Sequence, residues 1–211
     1  MHQLHTRKKY KFMKTIIQKY KKSINEAGFS ERQILILWDF YVTKSMSSTA
    51  AQCRKPSDYG IKQLNINSLM KTAGISDGCS KFLLADTMKK TLKAMDLSYS
   101  GKKGAAVEID IDRVRIAFTT PYSISDDEPP KAKEGYSHAK SLFIHMRNAF
   151  AHGNTYFFDN GNALFEDRKD SNVTAMILIN KKTLLDWIVQ VDSAERFYKH
   201  PEVLGVSKPV L

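Results

Sequence analysis

Arg147, Asn148 and His152 fall close together near the end of the run YSHAKSLFIHMRNAFAHG, residues 136 to 153. Histidine is the side chain that takes up and releases protons near neutral pH. Arginine is a permanent cation whose planar fork of donors can hold two phosphate oxygens at once. Internal cleavage of an RNA phosphodiester needs both: a proton shuttle for the attacking 2′-hydroxyl, and fixed positive charge against the negative charge that builds on phosphorus. Asn148, one turn before His152, can hydrogen-bond the imidazole or a phosphate oxygen, and Gly153 ends the helix and admits a close approach of backbone and RNA. The same residues have a plainer reading, because Arg and His are common at helix C-termini, where they meet the negative end of the macrodipole.

These side chains need a helix to position them. Leu142, Phe143, Met146, Ala149 and Phe150 recur at helical spacing and make an apolar stripe that docks on other helices. At about 100° per residue, His145, Asn148 and His152 lie within roughly 60° of one another beside that stripe, whereas Arg147 is about 140° from His152. Arg147 and His152 would therefore flank a groove. His145 shares the face of His152 but reads first as a satisfied structural histidine, and His138 is further from the motif. Asp39, between Trp38 and Phe40, is costly in an apolar helix unless paired; it is either a support for Arg147 or a residue of the helix surface.

The surrounding elements fit one domain of 211 residues. Apolar residues from Lys8 to Asn25 follow a helical period with a basic opposite face, and Gly28 closes that helix. Ser30 caps a second, more apolar helix running through Ile34, Leu35, Leu37, Trp38, Phe40 and Tyr41, which completes the N-terminal helices of residues 1–44. Residues 45–120 read as an insertion. It opens with a loop over 45–60, continues with a short helix capped by Asn67 or Ser68 and ending at Gly74, then a longer helix from Cys79 to Met95, and closes with a strand pair between Val107 and Phe118. A connector rich in proline spans 121–135. Within 136–199, the motif helix precedes three strands, Thr155 to Phe158, Ala163 to Glu166 and Val173 to Ile179, and a terminal helix from Lys182 to Tyr198 brings Leu184, Trp187, Ile188 and Phe197 to the core.

Composition narrows the partners. The net charge is +11, and eight Lys or Arg crowd residues 1–22, which contain no acid. Clustered cations of this kind favour a polyanion through counterion release, nucleic acid ahead of membrane. Cys53 and Cys79 show no zinc-ligand spacing, no carboxylate pair accompanies the motif, and neither cofactor nor metal is expected. No run reaches membrane-spanning length and the basic N-terminus lacks the apolar core of a signal peptide, so the expected location is the cytoplasm. The absence of a recognition helix rich in Arg, Asn and Gln argues against a helix-turn-helix DNA-binding protein.

The string RNAFAHG resembles the Rx4-6H signature of the HEPN superfamily, in which a polar residue, often Asn, follows the Arg; Arg147, Asn148 and His152 match it directly. The resemblance is specific over about 20 residues and weaker over 136–199, where the following strands and helix look like those of HEPN proteins borne by plasmids and prophages. It implies a mainly α fold, a HEPN-like helical bundle with a small antiparallel β meander as decoration. It further implies a homodimer joining two motif helices around one cleft and metal-independent endoribonuclease activity leaving 2′,3′-cyclic phosphate and 5′-hydroxyl ends. The expected setting is toxin–antitoxin or anti-phage defence, with RNA as substrate and an antitoxin or other defence protein as a partner. Some HEPN domains are instead non-catalytic modules that bind nucleotide, RNA or a partner, and Arg147 and His152 would then contact a ligand phosphate.

Overall fold

The computed structural model describes residues 22–46, 52–75, 82–85, 112, 114–119, 130–169 and 172–206. Its first helix, α1 (Glu31–Trp38), starts where Ser30 accepts a hydrogen bond from the Gln33 amide and the Gln33 side chain accepts one from the Ser30 amide. This reciprocal capping box satisfies donors that a helix start otherwise leaves open. A wider turn, Asp39–Thr43, prolongs it and brings Phe40 and Tyr41 into the core. The expected basic helix ending at Asn25 lies mostly outside the described residues. Its described end is not helical: Lys22 pairs in extended form with Phe157, and only a tight turn, Ile24–Glu26, follows.

The insertion differs from expectation in three places. Part of the expected 45–60 loop is built into the core, where a short turn, Pro56–Tyr59, buries the Tyr59 ring. Helix α2 (Ile66–Thr72) is capped by Asn65, whose side chain accepts from Ser68, rather than by Asn67 or Ser68. Residues Phe82–Ala85, assigned by periodicity to a helix, form strand β1, which runs parallel to β2 (Arg115–Thr119). A short apolar run such as FLLA does not distinguish the two states by period alone; pairing with β2 decides it.

Helix α3 (Pro130–Ala151) begins within the expected connector, six residues ahead of Tyr136. Proline is tolerated in a first helical turn because its missing N–H would have no partner there. Strands β3 (Thr155–Phe157), β4 (Asn162–Lys169) and β5 (Asn172–Asn180) then form the expected antiparallel meander. They belong to a five-stranded sheet ordered β1-β2-β5-β4-β3. Helix α4 (Lys181–Val191) ends seven residues before Tyr198, and α5 (His200–Leu204) follows it. Asp192 is the reason for the early stop. Its buried carboxylate accepts the amides of Arg196, Phe197 and Tyr198 and turns the chain away from the helix, which leaves Phe197 exposed rather than in the core.

The result is a mixed fold in which the sheet is more than a decoration. Register and alternation place Ala163, Phe165, Asp167, Ala175, Ile177 and Ile179 on one face of the sheet. Helix α3 lies across that face, chiefly on β4, and the Asp39–Thr43 turn and α2 pack against α3 as well. Ala139 and the residues from Ser141 to Met146 are all buried. The motif helix is therefore enclosed all round through its middle rather than along one stripe. Each fully buried Leu, Ile, Met or Phe there contributes roughly 1.5–3 kcal/mol relative to exposure. Among the described residues, no helix is long and apolar enough to cross a membrane.

Candidate functional site

Helix α3 leaves the core at its C-terminal turn. Arg147 and Asn148 are half-buried, and Ala151, His152 and Gly153 are exposed. The Gly153 amide donates to the Phe150 carbonyl at 3.1 Å and the Asn154 amide to that of Ala149 at 2.8 Å, with Gly153 at φ +69°. These two bonds with a left-handed residue between them make a Schellman cap, for which glycine is the favoured residue. A Cβ at Gly153 would meet nothing within 4 Å, so the glycine serves the backbone conformation rather than a close approach within this chain.

The sequence pattern placed His145 and Asn148 on one face, and a single group confirms it. Asp167 of β4, 4% exposed, lies opposite both: its Oδ2 is 2.7 Å from His145 Nδ1 and accepts from Asn148 Nδ2 at 3.2 Å. Arg147 continues the chain by donating from a terminal guanidinium nitrogen to Asn148 Oδ1 at 3.3 Å. Asn148 thus bridges Arg147 and Asp167 and does not bond the His152 ring; its tie to His152 is through the backbone, as its carbonyl accepts the His152 amide at 2.9 Å. The His152 imidazole makes no hydrogen bond among the described residues and stands at the exposed end of the helix.

His145 is fully buried against a carboxylate, which answers to the structural reading of that residue. Asp39 does not support Arg147. It accepts a hydrogen bond from the Tyr198 hydroxyl at 2.9 Å and lies 3.6 Å from Arg54. Asp167 is the residue that sequence reasoning passed over, and a signal existed: it has the inward parity of Ala163 and Phe165, so a carboxylate was due on the core face of a strand. Glu166 has the opposite parity and pairs with Arg168 on the other face of the sheet. It takes no part in the site, though its charge, after burial, helps to push the Tyr156 hydroxyl above its ordinary range.

Two irregularities mark this end of the molecule. The β4–β5 ladder slips between Asp167 and Arg168, so that Thr174 is an extra residue on β5; bulges are frequent beside functional sites because they re-aim side chains. Arg147 Nε, Thr155 Oγ1 and Thr174 Oγ1 are buried polar atoms without a hydrogen-bond partner among the described residues. Such orphans are few in folded proteins, and each asks for an explanation.

No protein-family model, curated protein or solved structure matches this chain. The arrangement has to speak through its chemistry: a fixed cation with donors to spare and a solvent-facing imidazole share the terminal turn of one rigid helix. Among the described residues no group of three or more His, Cys, Asp or Glu could hold a metal ion. Asp167, a carboxylate beside the motif, is engaged by His145 and Asn148.

Proposed function

We propose that this chain is a metal-independent endoribonuclease of HEPN type that works as a homodimer, in a toxin–antitoxin or anti-phage defence setting. The observation that carries the reading is that α3 is buried from Ser141 to Met146 and then, in its last turn, holds the half-buried Arg147 and Asn148 next to the exposed His152. In the proposed reaction His152 takes the proton of an RNA 2′-hydroxyl as its oxygen attacks the adjacent phosphorus. The bond from phosphorus to the 5′-oxygen breaks, and that oxygen leaves with a proton from a second acid. Arg147 faces the charge that accumulates on the phosphoryl oxygens. The nucleophile is part of the substrate, so no water has to be activated.

The homodimer supplies the second acid, the His152 of the other copy. Because the residues from Ser141 to Met146 are buried within the chain, a two-fold contact would involve the exposed terminal turn rather than that stretch of the helix. A non-catalytic module that binds RNA, nucleotide or a partner protein is the competing reading; the lack of an orienting partner for the His152 ring among the described residues favours it. The deciding experiment is incubation of purified protein with total RNA in excess chelator, with His152→Ala alongside. New 2′,3′-cyclic phosphate ends from the wild type alone support the enzyme. Binding without cleavage, or cleavage that His152→Ala retains, removes it.

A further inference from the structure

We propose that Asp167 is a positioning residue that sets the orientation of Arg147 through Asn148. The inference rests on the ribonuclease reading for its kinetic consequence, though not for its structural one. An ionised carboxylate only accepts hydrogen bonds, a guanidinium only donates, and an amide side chain does both from opposite atoms. Asn148 lies between the two. Asp167 Oδ2 at 3.2 Å compels the amide to present its NH2 group, and this turns Asn148 Oδ1 toward Arg147, which donates to it at 3.3 Å. Reversing the amide would set two acceptors against each other at one end and two donors at the other. The same Oδ2 holds the buried His145 at 2.7 Å and so calls for an N–H at its Nδ1.

One acceptor atom thus fixes the polarity of two neighbours, His145 and Asn148, and the fold holds that atom in place. Asp167 is on β4, the strand on which α3 chiefly rests, and the ladder slips immediately after it. Deep burial, at 4% exposure, keeps water from substituting for the carboxylate. Among the described residues Arg147 has one weak bond to hold it and a buried Nε without a partner. Its placement therefore depends on Asn148 to an unusual degree, and Asn148 depends on Asp167.

The test compares Asp167→Ala, Asp167→Asn and Asn148→Ala with the wild type by two readouts. The first is the nitrogen–proton NMR signal of Arg147 Nε–H, which reports the side chain whether or not the protein cuts RNA. The second is kcat and KM on a single-stranded RNA oligonucleotide in chelator. Asp167→Ala should move the Arg147 signal and lower kcat by about 100-fold, the scale of an ångström of misplacement, with KM changed less than about threefold. Asp167→Asn, which keeps an oxygen able to accept at the shared point, should restore most of both. Adding Asp167→Ala to Asn148→Ala should cost no further activity, because the route is already cut. If Asp167→Ala does not fold, Asp167→Glu replaces it: a carboxylate displaced by one methylene should still move the signal. An Arg147 signal indifferent to these changes overturns the proposal. If the wild type cuts no RNA, the ribonuclease reading falls and the NMR comparison still decides the role of Asp167.

Discussion

Arg54 and Arg147 are held by the protein in different ways. Arg54 donates to the Tyr198 hydroxyl at 2.5 Å, lies 3.6 Å from Asp39 and stacks on the Phe197 ring, with its guanidinium carbon 3.9 Å from the ring centre. Around it the Tyr198 hydroxyl donates a hydrogen bond to Asp39, and Tyr59 is buried. Among the described residues Arg147 has one 3.3 Å bond to an amide, a buried Nε without a partner, and no direct bond to Asp167. A cation whose donors and face are occupied by its own chain contributes to the fold. One held at a single point, with donors left over, is equipped for an anion that is not part of the chain.

The largest expected effect separates these roles directly. Arg147→Lys should lower RNA cleavage by about 100-fold or more, because a point-charge ammonium cannot reproduce a bidentate fork, while the unfolding midpoint stays near that of the wild type. Arg54→Lys should do the reverse, with normal cleavage and a stability loss of about 1–3 kcal/mol from the Tyr198 and Phe197 contacts. Both are read from initial rates and urea unfolding on the same preparations. Equal loss of activity in the two variants would erase the distinction.

The two histidines sharpen it. His145 is fully buried on Asp167, and His152 is exposed with no partner for its ring among the described residues. His145→Ala should cost about 3 kcal/mol, since it opens a cavity and leaves a buried carboxylate short of a donor. His152→Ala should leave stability within about 0.5 kcal/mol of the wild type and abolish cleavage. A destabilised His152 variant would mean that its ring is anchored in solution by contacts it lacks here.

How far the sequence reached follows the same division. The motif helix, its cap at Gly153, the meander and the Ser30 capping box depend on local signals: period, turn residues and cap chemistry act over a few positions. The partners of Asp39 and Asp167 depend on packing across more than a hundred residues in one case and on strand parity in the other. By sequence Asp39 was either a support for Arg147 or a residue of the helix surface, and only the packing of the Asp39–Thr43 turn beside Tyr198 sets it near Arg54 instead. Phe82–Ala85 illustrates the limit in another way, since four apolar residues carry no period and their state was set by the strand they join. Asp192 ended the last helix early by capturing three amides, a local event that alternating apolar spacing does not register.

A smaller effect is due at the cap that ends the site helix. Gly153 adopts φ +69° with open space where a Cβ would stand, so Gly153→Ala should cost about 1 kcal/mol from the backbone alone. The change tests whether the site tolerates a loosened terminus: cleavage should fall with no clash to explain it. Gly153→Asn, a residue that enters the left-handed region more readily, should recover part of the loss. Equal unfolding midpoints for wild type and Gly153→Ala would show that the cap does not limit stability.

The smallest expected effect concerns the Arg54 network and its dependence on pH. Burial, foremost, pushes the Tyr198 hydroxyl well above its ordinary value, with neighbouring Tyr59 and the hydrogen bond to Asp39 acting in the same direction. A raised folded-state value means that the native protein keeps this proton at a pH where the unfolded chain has released it. Below about pH 10 both states hold the proton and the group adds no pH dependence; above that value, stability declines as pH rises. Tyr198→Phe removes the titration together with the bonds to Asp39 and Arg54. The variant should be about 1 kcal/mol less stable at pH 8 and recover part of that deficit, roughly 0.8 kcal/mol, by pH 10.5. Urea unfolding at the two pH values gives the difference, and taking it against the wild type cancels the titration of Tyr41, which burial also raises. A deficit unchanged between the two would mean that Tyr198 ionises in the folded protein as it does in the unfolded chain. Arg54 would then be less enclosed than its contacts indicate, and its contrast with Arg147 correspondingly weaker.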